Sequence, residues 1–106
     1  MAESRFVLPI SADMRIRHYH RTYRGRVEAF SLQLEIEVGG QWRPVIRYDT
    51  AHGTAHIDRF TMAGKKRKEW LRLDFREALT RAERDLKTNW LWCTSPSTNW
   101  ALCVLG

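Results

Sequence analysis

Hydrophobic and polar residues alternate almost without interruption between residues 28 and 38. A period of two residues is that of a β-strand with one face on the core. The apolar members of this strand are Phe30, Leu32, Leu34, Ile36 and Val38. Gly39-Gly40 follows as a two-residue turn signal. The pattern predicts further strands over 42–49 and 56–62, joined by a loop at 50–55, and a short fourth strand over 70–73.

A helix is predicted to begin after Asp74. Asp74 and Glu77 form an acidic variant of the capping box, in which an N-cap side chain is followed by an acid three positions later. Apolar residues then recur at helical spacing and make one stripe; they are Phe75, Ala78, Leu79, Ala82, Leu86 and Trp90. Strands followed by one amphipathic helix predict an α+β domain, with an antiparallel three- to four-stranded sheet packed against a C-terminal helix.

The length of 106 residues is that of one small domain. We expect residues 1–106 to form it as a basic N-terminal segment (1–27), a core (28–90) and an apolar tail (91–106). Residues 14–19 alternate in a way that suits an edge strand, but a flexible basic arm is an open alternative. The tail contains Trp92, Trp100 and Leu102, which either fold back onto the sheet or form a homodimer or partner interface.

The net charge is +6 and the pI about 9.9. This excess of positive charge indicates a nucleic-acid partner or an acidic protein partner. The excess is concentrated in the N-terminal third and in one predicted turn. The candidate phosphate-binding residues are Arg15, Arg17, Arg21, Arg24, Arg47, Lys65, Lys66 and Arg67.

No apolar run approaches the roughly 18–20 residues needed to span a membrane, and the N-terminus shows no signal-peptide core. We therefore expect a cytoplasmic protein with no membrane contact. Cys93 and Cys103 fit no paired metal-binding spacing, so free thiols are expected. The sequence suggests no cofactor.

Two histidines and two aspartates lie within ten positions at the predicted turn of a hairpin: Asp49, His52, His56 and Asp58. Antiparallel pairing across this turn would place Asp49 opposite His56 and Arg47 opposite Asp58 on one face. Opposed residues have Cβ atoms about 4.5–5.5 Å apart. A register slip of one residue would separate them.

Three interpretations of this cluster are open. His52 and His56 could act as general acid and base in RNA cleavage, with Asp49 orienting a ring and Arg47 holding phosphate. The same His and Asp side chains could bind a divalent metal, although no metal site is favoured. Alternatively the cluster is structural: Asp49 caps the turn, Asp58 pairs with Arg47, and His56 is a satisfied polar residue.

The segment Val-Ile-Arg-Tyr-Asp-Thr-Ala-His-Gly at 45–53, followed by Ala55-His56 and Asp58, resembles the signature of a prokaryotic family of small proteins known only as a domain of unknown function. The similarity runs from about residue 30 to residue 90. More distantly, the Arg-Tyr-Asp turn followed by His resembles toxins of TumE-type toxin–antitoxin pairs. That second resemblance would imply a toxin-like ribonuclease.

We therefore expect a small cytoplasmic protein that binds nucleic acid, RNA in preference to DNA. If it is an enzyme, we expect a metal-independent endoribonuclease that acts through His52, His56 and Asp49. The alternative is a non-catalytic interaction module that docks on a larger assembly or on an acidic antitoxin.

Overall fold

A computed structural model describes residues 1–61 and 63–93, with the side chains of residue 52 and residues 88–93 excepted. The described chain forms six strands followed by one helix. The strands are β1 (Ala2–Ser11), β2 (Met14–Tyr23), β3 (Arg26–Val38), β4 (Gln41–Asp49), β5 (His56–Phe60) and β6 (Lys66–Trp70). The helix α1 spans Phe75–Cys93.

All six strands belong to one antiparallel sheet in the order β1-β2-β3-β4-β5-β6, so each strand pairs with its neighbour in sequence. The α+β class is as predicted, but the expectation of three to four strands is too low. Residues 14–19, for which the sequence leaves an edge strand and a flexible arm both open, belong to the strand β2. β2 is not at the edge, because residues 2–11 form a further strand, β1, outside it. The two additional strands widen the sheet by roughly 10 Å at about 4.8 Å per strand.

The helix begins where the sequence predicts. The backbone N–H of Glu77 donates to Oδ1 of Asp74 at 2.8 Å, which satisfies one of the free donors of the first turn. The apolar stripe of the helix is buried at Ala78, Leu79, Ala82 and Leu86. It packs on one face of the sheet, together with Met14, Ile16, Phe30, Leu32, Leu34, Val45, Tyr48, Ala55, Ile57 and Leu71.

Tyr48 joins the sheet to the helix. Its hydroxyl donates to Oδ2 of Asp85 at 2.7 Å, while its ring is buried in the core. Burial raises the pKa of Tyr48 above its ordinary value, and the hydrogen bond to Asp85 raises it further. The helix therefore covers the face of β4 that carries Tyr48. The opposite face, which carries Arg17, Gln33 and Arg47, is called the open face below.

Candidate nucleic-acid interface

Strand register arranges the open face in two rows that cross the whole sheet. The first row runs Arg5, Tyr19, Ser31, Asp49, His56 and Trp70 from β1 to β6. The second row runs Val7, Arg17, Gln33, Arg47, Asp58 and Lys68. Residues at alternate positions of a strand share a face, and opposed residues on neighbouring strands lie side by side. Residues far apart in sequence are thus neighbours on this surface.

The hairpin of β4 and β5 has the predicted register. Asp49 pairs with His56, and Arg47 pairs with Asp58. Nη2 of Arg47 lies 3.0 Å from Oδ2 of Asp58, and Nε of Arg47 lies 3.6 Å from Oδ2 of Asp49. Asp58 is only 2% exposed, and its Oδ1 has no hydrogen-bond partner among the described residues. Arg47 therefore supplies the main charge compensation for a buried carboxylate.

Asp49 and His56 make the contacts that the structural interpretation expects. The backbone N–H of Ala51 donates to Oδ1 of Asp49 at 2.6 Å, which is the turn-capping arrangement. His56 is 2% exposed. Its Nδ1 lies 3.0 Å from the carbonyl oxygen of Thr54, and its Nε2 lies 3.5 Å from Oδ2 of Asp58. Both ring nitrogens therefore face protein groups.

Several predicted residues fall outside the described side chains. The backbone of His52 lies in a short 3₁₀ helix at Ala51–Gly53, but its side chain is outside the described set. Trp92 lies within α1 with its side chain likewise outside that set, and Trp100 and Leu102 lie beyond the described residues. Their proposed catalytic and interface roles stay predictions.

A groove of about 420 Å³ opens on this face above β3. It is lined by Arg5, Phe6, Val7, Arg17, His18, Tyr19, Ser31, Gln33 and Arg47. Its lining includes three arginines from three different strands as well as His18, and no described carboxylate lines it. The guanidinium of Arg5 lies over the ring of Tyr19 at 4.3 Å from the centroid. Nη1 of Arg47 approaches Oε1 of Gln33 at 3.4 Å.

Of the four arginines predicted from the N-terminal segment, only Arg17 lines this groove. Its exposed side chain makes no ion pair within the described part of the chain. The other three are engaged locally. Arg15 pairs with Glu35 at 2.6 Å, Arg21 pairs with Glu28 at 3.4 Å, and Arg24 lies over the ring of Tyr23 in the β2–β3 turn.

The lysine-rich run becomes the outer strand β6 and is divided between the two faces of the sheet. Lys66 and Lys68 share the face of Phe60 and Asp58, their partners on β5, whereas Arg67 pairs with Arg59 on the other face. Lys65 precedes the strand in a turn. Trp70 ends β6 on the open face, where its side chain is 56% exposed. Its ring meets that of His56 edge-on, with the centroids 5.6 Å apart.

The sequence alone did not single out Arg5, Ser31 or Trp70. Arg5 was missed because residues 2–11 contain Pro9 and the apolar run Phe6-Val7-Leu8, which breaks the alternation that marks a strand. Ser31 and Trp70 acquire a role only through their neighbours across the sheet. The available signal was the spacing Lys66, Lys68, Trp70, which places cations and an aromatic ring on one face of a strand.

Two further properties bear on the expectations from sequence. Among the side chains that the structure describes, no three histidines, cysteines or carboxylates are grouped as a metal site would require. Within residues 1–61 and 63–93, the helix does not have the length and apolar character needed to cross a bilayer.

The fold and the site define the class of the protein. It is an α+β domain in which one helix covers a six-stranded antiparallel meander and leaves a basic, partly aromatic sheet face open. The chain belongs to the family described as domain of unknown function DUF7718, whose model matches residues 1–95. The resemblance to a family of unknown function is thereby confirmed, and it extends through β1 and β2. No curated protein and no solved structure matches the chain.

Proposed function

We propose that this protein binds single-stranded nucleic acid, RNA in preference to DNA, across the open face of its sheet. The observation that carries the proposal is a set of cationic and aromatic side chains spread over the open face from β1 to β6. The set comprises Arg5, Arg17, Tyr19, Arg47, Lys68 and Trp70. Cations attract the phosphate backbone, and exposed aromatic rings stack on unpaired bases.

The dimensions of this face suit a short single strand. Five interstrand spacings of about 4.8 Å separate β1 from β6, which gives roughly 24 Å. About seven stacked nucleotides at 3.4 Å each would cover that distance, and fewer would cover it if the strand were extended. A flat sheet with aromatic residues can stack splayed bases, whereas the deep, narrow major groove of an RNA duplex hides its base edges.

The charge of the open face also favours phosphate. Three of its carboxylates are paired within the protein, Asp58 and Asp49 with Arg47 and Glu35 with Arg15, whereas Glu3 and Glu37 are exposed at its margins. Among the described residues, Arg17 has no ion-pairing carboxylate, and Lys68 lies over the ring of Trp70. The charges left facing solvent are therefore mainly positive, which attracts a polyanion.

The geometry favours binding over cleavage. A general base must reach the ribose 2′-hydroxyl directly or through one water molecule. His56 is buried, and both of its nitrogens face protein groups. Its ring is therefore better placed to pack against the ring of Trp70 than to exchange a proton with a ribose hydroxyl. RNA cleavage through His52, His56 and Asp49 stays a prediction. The same holds for the resemblance to toxins.

The experiment is a fluorescence-anisotropy titration with a mixed-sequence single-stranded RNA over a series of salt concentrations. Trp70→Ala should weaken binding by about 1–3 kcal/mol if the ring stacks on a base. Leu8→Ala is the matched control, because Leu8 is also an exposed apolar side chain (40%) but lies on the helix side of β1 opposite Ile16 and does not line the groove. Affinity should fall steeply with salt.

Equal losses from Trp70→Ala and Leu8→Ala would contradict the proposed surface. The absence of any RNA binding would contradict the proposed function and move attention to an acidic protein partner. The same samples, followed for RNA cleavage with His56→Ala beside the wild type, test the remaining catalytic prediction.

A further inference from the structure

We infer that the groove above β3 is a ribonucleotide subsite, in which Arg17 and Arg47 hold one phosphate and Ser31 recognises the ribose 2′-hydroxyl. The inference rests on the proposed function and deepens it. It assigns the preference for RNA over DNA to a single residue of the groove floor.

The phosphate position follows from strand register. Arg17 and Arg47 flank Gln33 on the two neighbouring strands, so their backbones lie about 10 Å apart. Long guanidinium side chains from both sides can meet a phosphate over the shorter Gln33. Arg47 is already oriented by Asp58 at 3.0 Å and by Gln33 at 3.4 Å. A fixed guanidinium fork is suited to bidentate phosphate binding.

The ribose contact is assigned to one of the two polar side chains that β3 contributes to the floor of the groove, Gln33 and Ser31. Gln33 is engaged on both sides: its Nε2 donates to Oε2 of Glu35 at 2.5 Å, and its Oε1 faces Arg47. Ser31 lies between Tyr19 and Asp49 in the adjacent row. Ser31 is partly exposed, and its hydroxyl makes no hydrogen bond to another described side chain.

That hydroxyl has the chemistry that recognition of RNA requires. A serine hydroxyl can both donate and accept a hydrogen bond, and so can the ribose 2′-hydroxyl, which distinguishes RNA from DNA. A sugar attached to a phosphate held between Arg17 and Arg47 would lie one row away from that phosphate. Ser31 occupies that row.

The test compares an oligouridylate with the oligodeoxyuridylate of the same length, because the two differ only at the 2′ position. Wild-type protein should bind the ribose form about three- to tenfold more tightly, the equivalent of one hydrogen bond. Ser31→Ala should weaken binding of the ribose form to the level of the deoxyribose form and leave the latter unchanged. Ser4→Ala, on the helix-side face of β1 opposite His20, is the matched control.

The outcomes separate the two proposals. If both oligonucleotides bind and Ser31→Ala leaves their ratio at the wild-type value, the subsite is wrong while the proposed function stands. If they bind equally tightly to the wild type, the subsite is likewise overturned. If neither binds, the proposed function itself fails. A ratio that collapses in Ser31→Ala and persists in Ser4→Ala supports the subsite.

Discussion

Arg47 contacts both the buried carboxylate of the hairpin and the floor of the groove. Its Nη2 pairs with Asp58, its Nη1 faces Gln33, and its guanidinium lies 5.4 Å from the ring centroid of Phe60. The residue therefore has a structural role as well as the proposed binding role. Substitutions of Arg47 must be separated into these two effects before they are read as binding data.

Arg47→Met should destabilise the fold, because it leaves the carboxylate of Asp58 buried without its partner. Removal of one member of a buried pair costs about 3–5 kcal/mol, and the lower end applies here because the Arg47 side chain is 30% exposed. Urea denaturation gives the free energy of unfolding. Asp58→Asn, added to Arg47→Met, should recover part of the loss because it removes the uncompensated charge. A double variant no more stable than Arg47→Met alone would contradict this account.

At the scale of whole elements, the sequence predicted those segments in which local pattern and tertiary packing agree. The alternation in β3 indicates which face of the strand is buried, and the cap at Asp74 marks where the helix begins, so these elements appear where expected. The loop at 50–55 fixed the register of Asp49 with His56. β1 was missed because most of its residues are exposed on both faces, so burial leaves no period-two signal. Without β1, the groove and Arg5 could not be predicted.

β1 and β2 carry a cluster of rings on the helix side of the sheet. Phe6 stacks on His18, with ring centroids 4.4 Å apart, and Nε2 of His18 lies 2.7 Å from Nδ1 of His20. Burial lowers the pKa of His18, and the nearby His20 lowers it further, while Glu83 raises it and Lys87 lowers it. A proton on His18 is therefore less favourable in the folded protein than in the unfolded chain.

The lowered pKa of His18 determines how the stability of the fold changes with pH. As the pH falls below 6.5, the ordinary value for histidine, the unfolded chain takes up the proton first, so the free energy of unfolding decreases. His18→Phe keeps a ring beside Phe6 and should reduce this decrease. Urea midpoints measured above and below pH 6.5 for both proteins provide the check. An identical decrease in His18→Phe would show that other groups cause it.

At the scale of the whole molecule, the positions of the charged residues support the proposed function more strongly than the net charge does. A net charge of +6 attracts polyanions to any part of the surface. The sequence predicted which segments carry the excess charge, but not which of those residues share one face of the sheet. The fold assigns charged residues to particular faces: Arg17 lines the groove, whereas Arg43 pairs with Ile36 on the helix-side face of the sheet. These two exposed arginines therefore distinguish a defined surface from general attraction.

The most direct test of a binding surface on the open face is the RNA affinity of Arg17→Glu beside that of Arg43→Glu. Each substitution lowers the net charge by two, from +6 to +4. A difference in RNA affinity between the two variants therefore reflects only where the substituted arginine lies. We predict a large loss of affinity for Arg17→Glu, with a salt dependence reduced by about one phosphate contact, and a small loss for Arg43→Glu. Equal losses in the two variants would contradict a defined binding surface on the open face.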